Sequence, residues 1–84
     1  AAPDLVVEIF TDKTEDFDRG LKREIYAEHG VRELWLVDKL AKQVAVYRFE
    51  ESESEPVVVF SGRQKLTTPL LPGLKLALAE VFEE

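Results

Sequence analysis

The 84-residue chain has room for a single domain, and one this small buries about 60–65% of the surface its unfolded form exposes. Its 45% hydrophobic and 33% charged residues exclude a disordered chain, no apolar run approaches the roughly 20 residues that span a membrane, and the lack of cysteine excludes a disulfide framework or a thiolate metal centre. The formal net charge of −6 argues against tight nucleic-acid binding by the surface as a whole.

That charge is unevenly spread. Glu50, Glu51, Glu53 and Glu55 fall in one stretch, and Glu80, Glu83 and Glu84 in another, so the remainder is near neutral. A local basic patch around Lys13, Arg19, Lys22 and Arg23 is compatible with this distribution. A cysteine-free chain with no signal peptide fits a reducing cytoplasm. The chain contains no methionine and enters a strand pattern almost at once, which suits a fragment of a longer protein.

Residues 4–10 alternate as a strand, with Leu5, Val7 and Ile9 on one face and Asp4, Val6, Glu8 and Phe10 on the other. Apolar residues on both faces predict an interior strand. Residues 11–14 connect to a helix over about 15–29, started by Thr14 with Glu15 and Asp16 in its first turn. Phe17, Leu21 and Ile25 recur every fourth residue and predict the helix's apolar stripe. Gly20 within it suggests close packing against a sheet, and Gly30 after His29 predicts a left-handed C-terminal cap. A second strand follows at "ELWLVD", with Trp35 in the core.

A turn over residues 38–42 leads to a third strand at "QVAVYRF", and a fourth is predicted at "VVVF". "QKLTT" predicts a short strand, and the chain closes in a short helix from about Leu76 or Leu78. The order predicts an α/β fold: a mixed sheet of four to five strands, the first two parallel, with one main helix after strand 1 and a short C-terminal helix.

Glu8 stands between Val6 and Phe10 on one strand face. It is either a solvated residue on a half-exposed strand or a carboxylate held by a cation partner, a divalent ion or a lysine. Asp4 shares its face, but Cα atoms four residues apart on a strand lie roughly 13 Å apart, too far for one ion. Asp4 reads as a strand-entry residue beside Pro3. Lys22 lies in a row with Asp18 and Tyr26. It either pairs with Asp18 on the helix surface or crosses to a carboxylate on the strand. His29 reads as a helix-end residue, and no hydrolase triad or phosphate-binding glycine loop is present.

The stretch "PDLVVEIFTDKTEDFDRGLKREIYAEHGVRELWLVD" resembles the Uma-type putative restriction endonuclease family, a branch of the PD-(D/E)XK nuclease superfamily. The matching positions are Pro3 to Ile9, Thr14, Asp18, Gly20, Lys22, Tyr26, Gly30-Val31, Glu33, Trp35 and Val37-Asp38, and "LLPGLKLALAEVF" resembles the family's end. The resemblance implies a restriction-endonuclease-like core and Mg2+-assisted hydrolysis of DNA. It implies that Glu8 is the acid of the (D/E)XK motif and a metal ligand. The motif's lysine position is Phe10 here, and the resemblance implies that Lys22 on the helix takes the lysine's catalytic part. In the family an earlier helix and two strands bring a second metal-binding aspartate, and Pro3-Asp4 matches the family's later Pro-Asp. The chain is therefore expected to be the C-terminal part of the fold, weakly active or inactive alone, with Asp12 a conceivable substitute carboxylate. An alternative expectation is a non-catalytic interaction module that forms a homo-oligomer through an exposed sheet edge.

Overall fold

The structure, a computed structural model, describes residues 3–10 and 16–82, without the side chains of 16–19. Its elements are β1 (Leu5–Phe10), α1 (Asp16–Glu28), β2 (Glu33–Asp38), β3 (Gln43–Arg48), β4 (Val58–Ser61), β5 (Lys65–Leu66), β6 (Leu76–Ala77) and α2 (Leu78–Val81). The first four strands form one mixed sheet in the order β1-β2-β3-β4, and β5 pairs with β6 in a separate antiparallel ribbon. β1 and β2 run parallel, as the helical crossover between them requires, while β2-β3 and β3-β4 are antiparallel.

α1 ends where the sequence predicts. Gly30 adopts φ +84°, a conformation costly for any residue with a Cβ, and the Val31 amide reaches back to the Tyr26 carbonyl at 3.1 Å. The turn after β2 is held by the Asp38 carboxylate, which accepts from the Leu40 and Ala41 amides at 3.0 Å each. Lys42 takes φ 54° before β3 begins.

Strand alternation divides the core between the two sheet faces. Trp35, Val37, Val44, Val46 and Phe60 pack on one face against Leu66 and Leu78 from the C-terminal segment. On the opposite face Phe10, Leu34, Leu36 and Tyr47 pack with Val6 and with Tyr26 of α1. β2 is buried along nearly its whole length because both faces are covered.

Three sequence expectations need correction. β1 is an edge strand of the four-stranded sheet. Its even-numbered residues carry the covered face, whereas Val7 and Ile9 are exposed. Leu21 and Ile25 are 48% and 42% exposed, so the regular four-residue spacing does not mark the helix's buried side. The helix meets the sheet through Tyr26, with the stems of Lys22 and Arg23 beside it. The side chain of Phe17 lies outside the described residues. Gly20 does not serve close packing, since a Cβ built there meets nothing within 4 Å.

Candidate functional site

β1 turns Glu8 toward the face covered by α1, and the helix lays two polar side chains over it. Lys22 Nζ lies 3.4 Å from Glu8 Oε2, and the Tyr26 phenol donates to Glu8 Oε1. The donors are four residues apart, one helical turn, so they stand on one side of α1. Lys22 Nζ also sits 5.9 Å from the centroid of the Phe10 ring, within cation–π range. The Glu8 side chain is 23% exposed and that of Lys22 44%, so the cluster is open to solvent on the lysine side.

A lysine–carboxylate contact at 3.4 Å exceeds the ordinary N–H···O range. The pair is therefore loose, and an ion pair this exposed contributes about 0–1 kcal/mol to stability. Tyr26 is held differently. Its ring packs against the Phe10–Tyr47 cluster, and its phenol pKa is raised above the ordinary value by the hydrogen bond to Glu8 first, then by burial, then by the carboxylate's charge. A glutamate on a mostly apolar face is thus satisfied by two donors from the helix.

The remaining sequence candidates are placed as follows. Asp4 immediately precedes β1, and its carbonyl accepts from the Arg32 and Glu33 amides at 3.2 and 3.0 Å. Asp12 and Lys13 lie outside the described residues, as do the side chains of Asp18 and Arg19, and with them the Asp18–Lys22 alternative. Arg23 holds its guanidinium carbon 5.8 Å from the Tyr47 ring centroid. His29 Nδ1 is 2.8 Å from the Ile25 carbonyl at the helix end. Among the described residues no group of three or more His, Asp or Glu side chains could hold a metal ion.

A second polar cluster forms around Glu33, a position of the resemblance to which sequence reasoning assigns no partners. Glu33 is 1% exposed and accepts from Trp35 Nε1 at 2.6 Å, Arg48 Nε at 3.0 Å and Thr68 Oγ1 at 2.8 Å. Trp35 is two residues away on the same strand face, whereas Arg48 and Thr68 are 15 and 35 residues distant. The Glu33–x–Trp35 spacing was the only local signal. A hollow of about 160 Å3 opens beside Glu33, between Arg32, Arg48 and Leu70. A second, of about 140 Å3, lies between Arg23, Tyr47 and Val59. Neither is lined by Glu8 or Lys22. The carboxylate–ammonium–phenol cluster remains the candidate site because it gathers groups that can bind a cation and donate to an anion, whereas Glu33 already engages three donors.

A protein-family model described as "Uma2: Putative restriction endonuclease" matches residues 1–79. Four solved chains match in structure. One is a crystal structure titled as a putative nuclease belonging to DUF820 from Anabaena variabilis ATCC 29413, with a TM-score of 0.67 and 26% sequence identity. The match covers 96% of this chain and 44% of that one, so the chain spans less than half the length of that relative. No curated protein matches the sequence.

Proposed function

The chain belongs to the Uma2 family of putative restriction endonucleases, and from that membership we propose that it carries part of the active site of a metal-dependent DNA endonuclease. The observation that supports this most is the convergence of Glu8 and Lys22 from separate elements onto one solvent-open spot. A carboxylate beside a mobile ammonium suits phosphoryl chemistry: one binds a divalent cation, the other stabilises negative charge on phosphate oxygens.

Glu8 is the one carboxylate that the cluster offers to Mg2+ among the described residues. Mg2+ is commonly held by one or two carboxylates together with waters and substrate phosphates, and Glu8 supplies one hard oxygen ligand. Bound Mg2+ would supply Lewis acidity to the phosphoryl group and lower the pKa of the attacking water. Glu8 would hold the cation, and the Lys22 ammonium would be the group that donates to phosphate oxygens. The flexible Lys22 stem over Phe10 gives that ammonium room to move. The putative-nuclease title of the Anabaena variabilis relative supports a nucleic-acid substrate.

Calorimetric titration with Mg2+ or Mn2+ tests the proposal. Binding that is present in the wild type and lost in Glu8→Gln is the expected result. Binding that survives the substitution unchanged would overturn it.

A second function is favoured by β1 itself. The Asp4 and Phe10 carbonyls point to β2, so alternation turns the backbone groups of Leu5, Val7 and Ile9 outward along the sheet edge. With Val7 and Ile9 exposed beside them, that edge suits pairing with another strand, a second copy included. A concentration-dependent dimer that Ile9→Lys abolishes, without metal binding, would favour this interaction role over catalysis.

A further inference from the structure

α1 covers only part of the sheet face that carries Glu8. In register across that face stand Glu8 of β1, Leu36 of β2, Ala45 of β3 and Val59 of β4. Lys22 and Tyr26 close over the first of them, whereas Val59 at the far end of the row is 42% exposed. Between the two lies the hollow of about 140 Å3. Its shape follows from β3, whose side chains on this face run Gln43, Ala45 and Tyr47. A one-carbon side chain between two long ones leaves a depression, floored by Leu36, Ala45 and Val59.

Arg23 forms one wall of this hollow, with its guanidinium carbon 5.8 Å from the Tyr47 ring centroid. Arg32 pairs with Glu50, and Arg48 with Glu33 and Glu51, but Arg23 forms no ion pair with a described residue. Its Nε is buried without a hydrogen-bond partner. A buried donor left unmatched is costly, and the cation–π contact offsets that cost only in part. Covering Tyr47 accounts for the arginine's stem. It does not account for a charged head with unmatched donors beside an open hollow.

The lining selects among ligands. An apolar floor cannot replace the water around a phosphate, and the Asp38 carboxylate at the margin disfavours a second negative charge. A planar heterocycle suits the space better. Its face rests on the aliphatic floor, and its polar edge meets the Arg23 donors and the Gln43 amide, which offers donor and acceptor together. Unpaired bases are commonly held in this way, against side-chain planes with hydrogen bonds to their edges. We propose that this hollow binds one unpaired nucleobase of a nucleic-acid strand, with Arg23 as its charged contact and Gln43 as its neutral one. That the ligand belongs to a nucleic acid rests on the function proposed above; the binding itself needs no metal.

Fluorescence anisotropy of a labelled single-stranded oligodeoxynucleotide, titrated in EDTA, tests the proposal. The same titration is run with a strand of equal length whose sugars carry no bases. The wild type should bind the base-bearing strand roughly tenfold more tightly, the scale of one stacked base. Ala45→Ile fills the depression with a residue that suits a strand and leaves every charge in place. It should weaken the base-bearing strand alone and bring the two affinities together. Equal wild-type affinities, no binding of either strand, or a preference that survives Ala45→Ile would each overturn the proposal. A second measurement needs no substitution: uncharged thymidine and inorganic phosphate are titrated separately while the Ala45 and Val59 methyl resonances are followed by NMR. Thymidine should move both and phosphate neither. The reverse pattern would make Arg23 an anion site and contradict the base assignment, even if Ala45→Ile did not fold. A base preference without Mg2+ binding removes the endonuclease reading alone. Mg2+ binding that Glu8→Gln abolishes, without a base preference, removes this inference alone.

Discussion

Tyr26 stands one helical turn beyond Lys22, and the two contact different oxygens of a single carboxylate on the neighbouring strand. The strand supplies the acid and the helix supplies both donors. The crossover that makes β1 and β2 parallel lays the helix back over β1.

Lys22→Ala should separate chemistry from stability. Its ion pair is exposed enough that thermal unfolding should change by less than about 1 kcal/mol. Under the proposed function, loss of a donor to the developing phosphate charge should slow whatever DNA cleavage the wild-type chain supports by about a hundredfold or more. Single-turnover cleavage beside a thermal melt checks both. A cleavage rate equal to wild type would remove Lys22 from the chemistry.

The raised Tyr26 phenol predicts a pH dependence of fixed sign. The folded pKa lies above the unfolded one, so the fold favours the protonated phenol. The associated stability is fully present below the unfolded pKa and is lost as pH rises through the folded value. A phenolate absorbance titration should show Tyr26 ionising later than free tyrosine. In Glu8→Gln, which removes the carboxylate's charge and its strong acceptor, the delay should largely disappear. Persistence of the full delay would show that the cause lies elsewhere.

Glu33→Ala should be among the most damaging single substitutions. It leaves the Trp35 indole and the Thr68 hydroxyl without this acceptor, while Arg48, partly exposed, keeps Glu51 at 4.0 Å. Stranding two buried donors costs about 2–4 kcal/mol, which in a domain of this size lowers Tm by roughly 10 °C or more. Thr68→Val, which deletes one donor and keeps the shape, should cost about 1–2 kcal/mol. Denaturant melts of the two variants should rank in that order.

Lys42→Gly should stabilise the protein. Lys42 occupies the left-handed region at φ 54°, where a side chain is strained and glycine is not. Relief of about 0.5–1 kcal/mol in the turn should raise Tm by a few degrees. A lower Tm would show that the lysine side chain stabilises the turn by more than its backbone strain costs.

Much of the fold is legible in the sequence because alternation and punctuation agree. Leu34 to Val37 and Val44 to Tyr47 alternate across two covered faces, and Gly30 closes the helix where a positive φ is needed. The packed side of α1 is not legible. Lys22 is charged and Tyr26 carries a polar tip, neither falls on the predicted apolar stripe, yet both meet Glu8 on the strand beneath the helix. Leu21 and Ile25 count as apolar and remain exposed. The edge position of β1 is equally hidden, since alternation describes the faces of a strand and says nothing of its flanks. The burial of Glu33 is not legible because a lone acid at a strand start looks solvated, and two of its partners arrive from elsewhere in the chain.

The sheet is one layer thick, with the Glu33 anchor on one side and the Glu8 group on the other. A change on the anchoring side can loosen the C-terminal ribbon without displacing a reactive atom. A change on the opposite side can retune the acid with little loss of robustness. Selection, or a protein engineer, can therefore adjust durability and reactivity as two nearly separate dials on the same few strands.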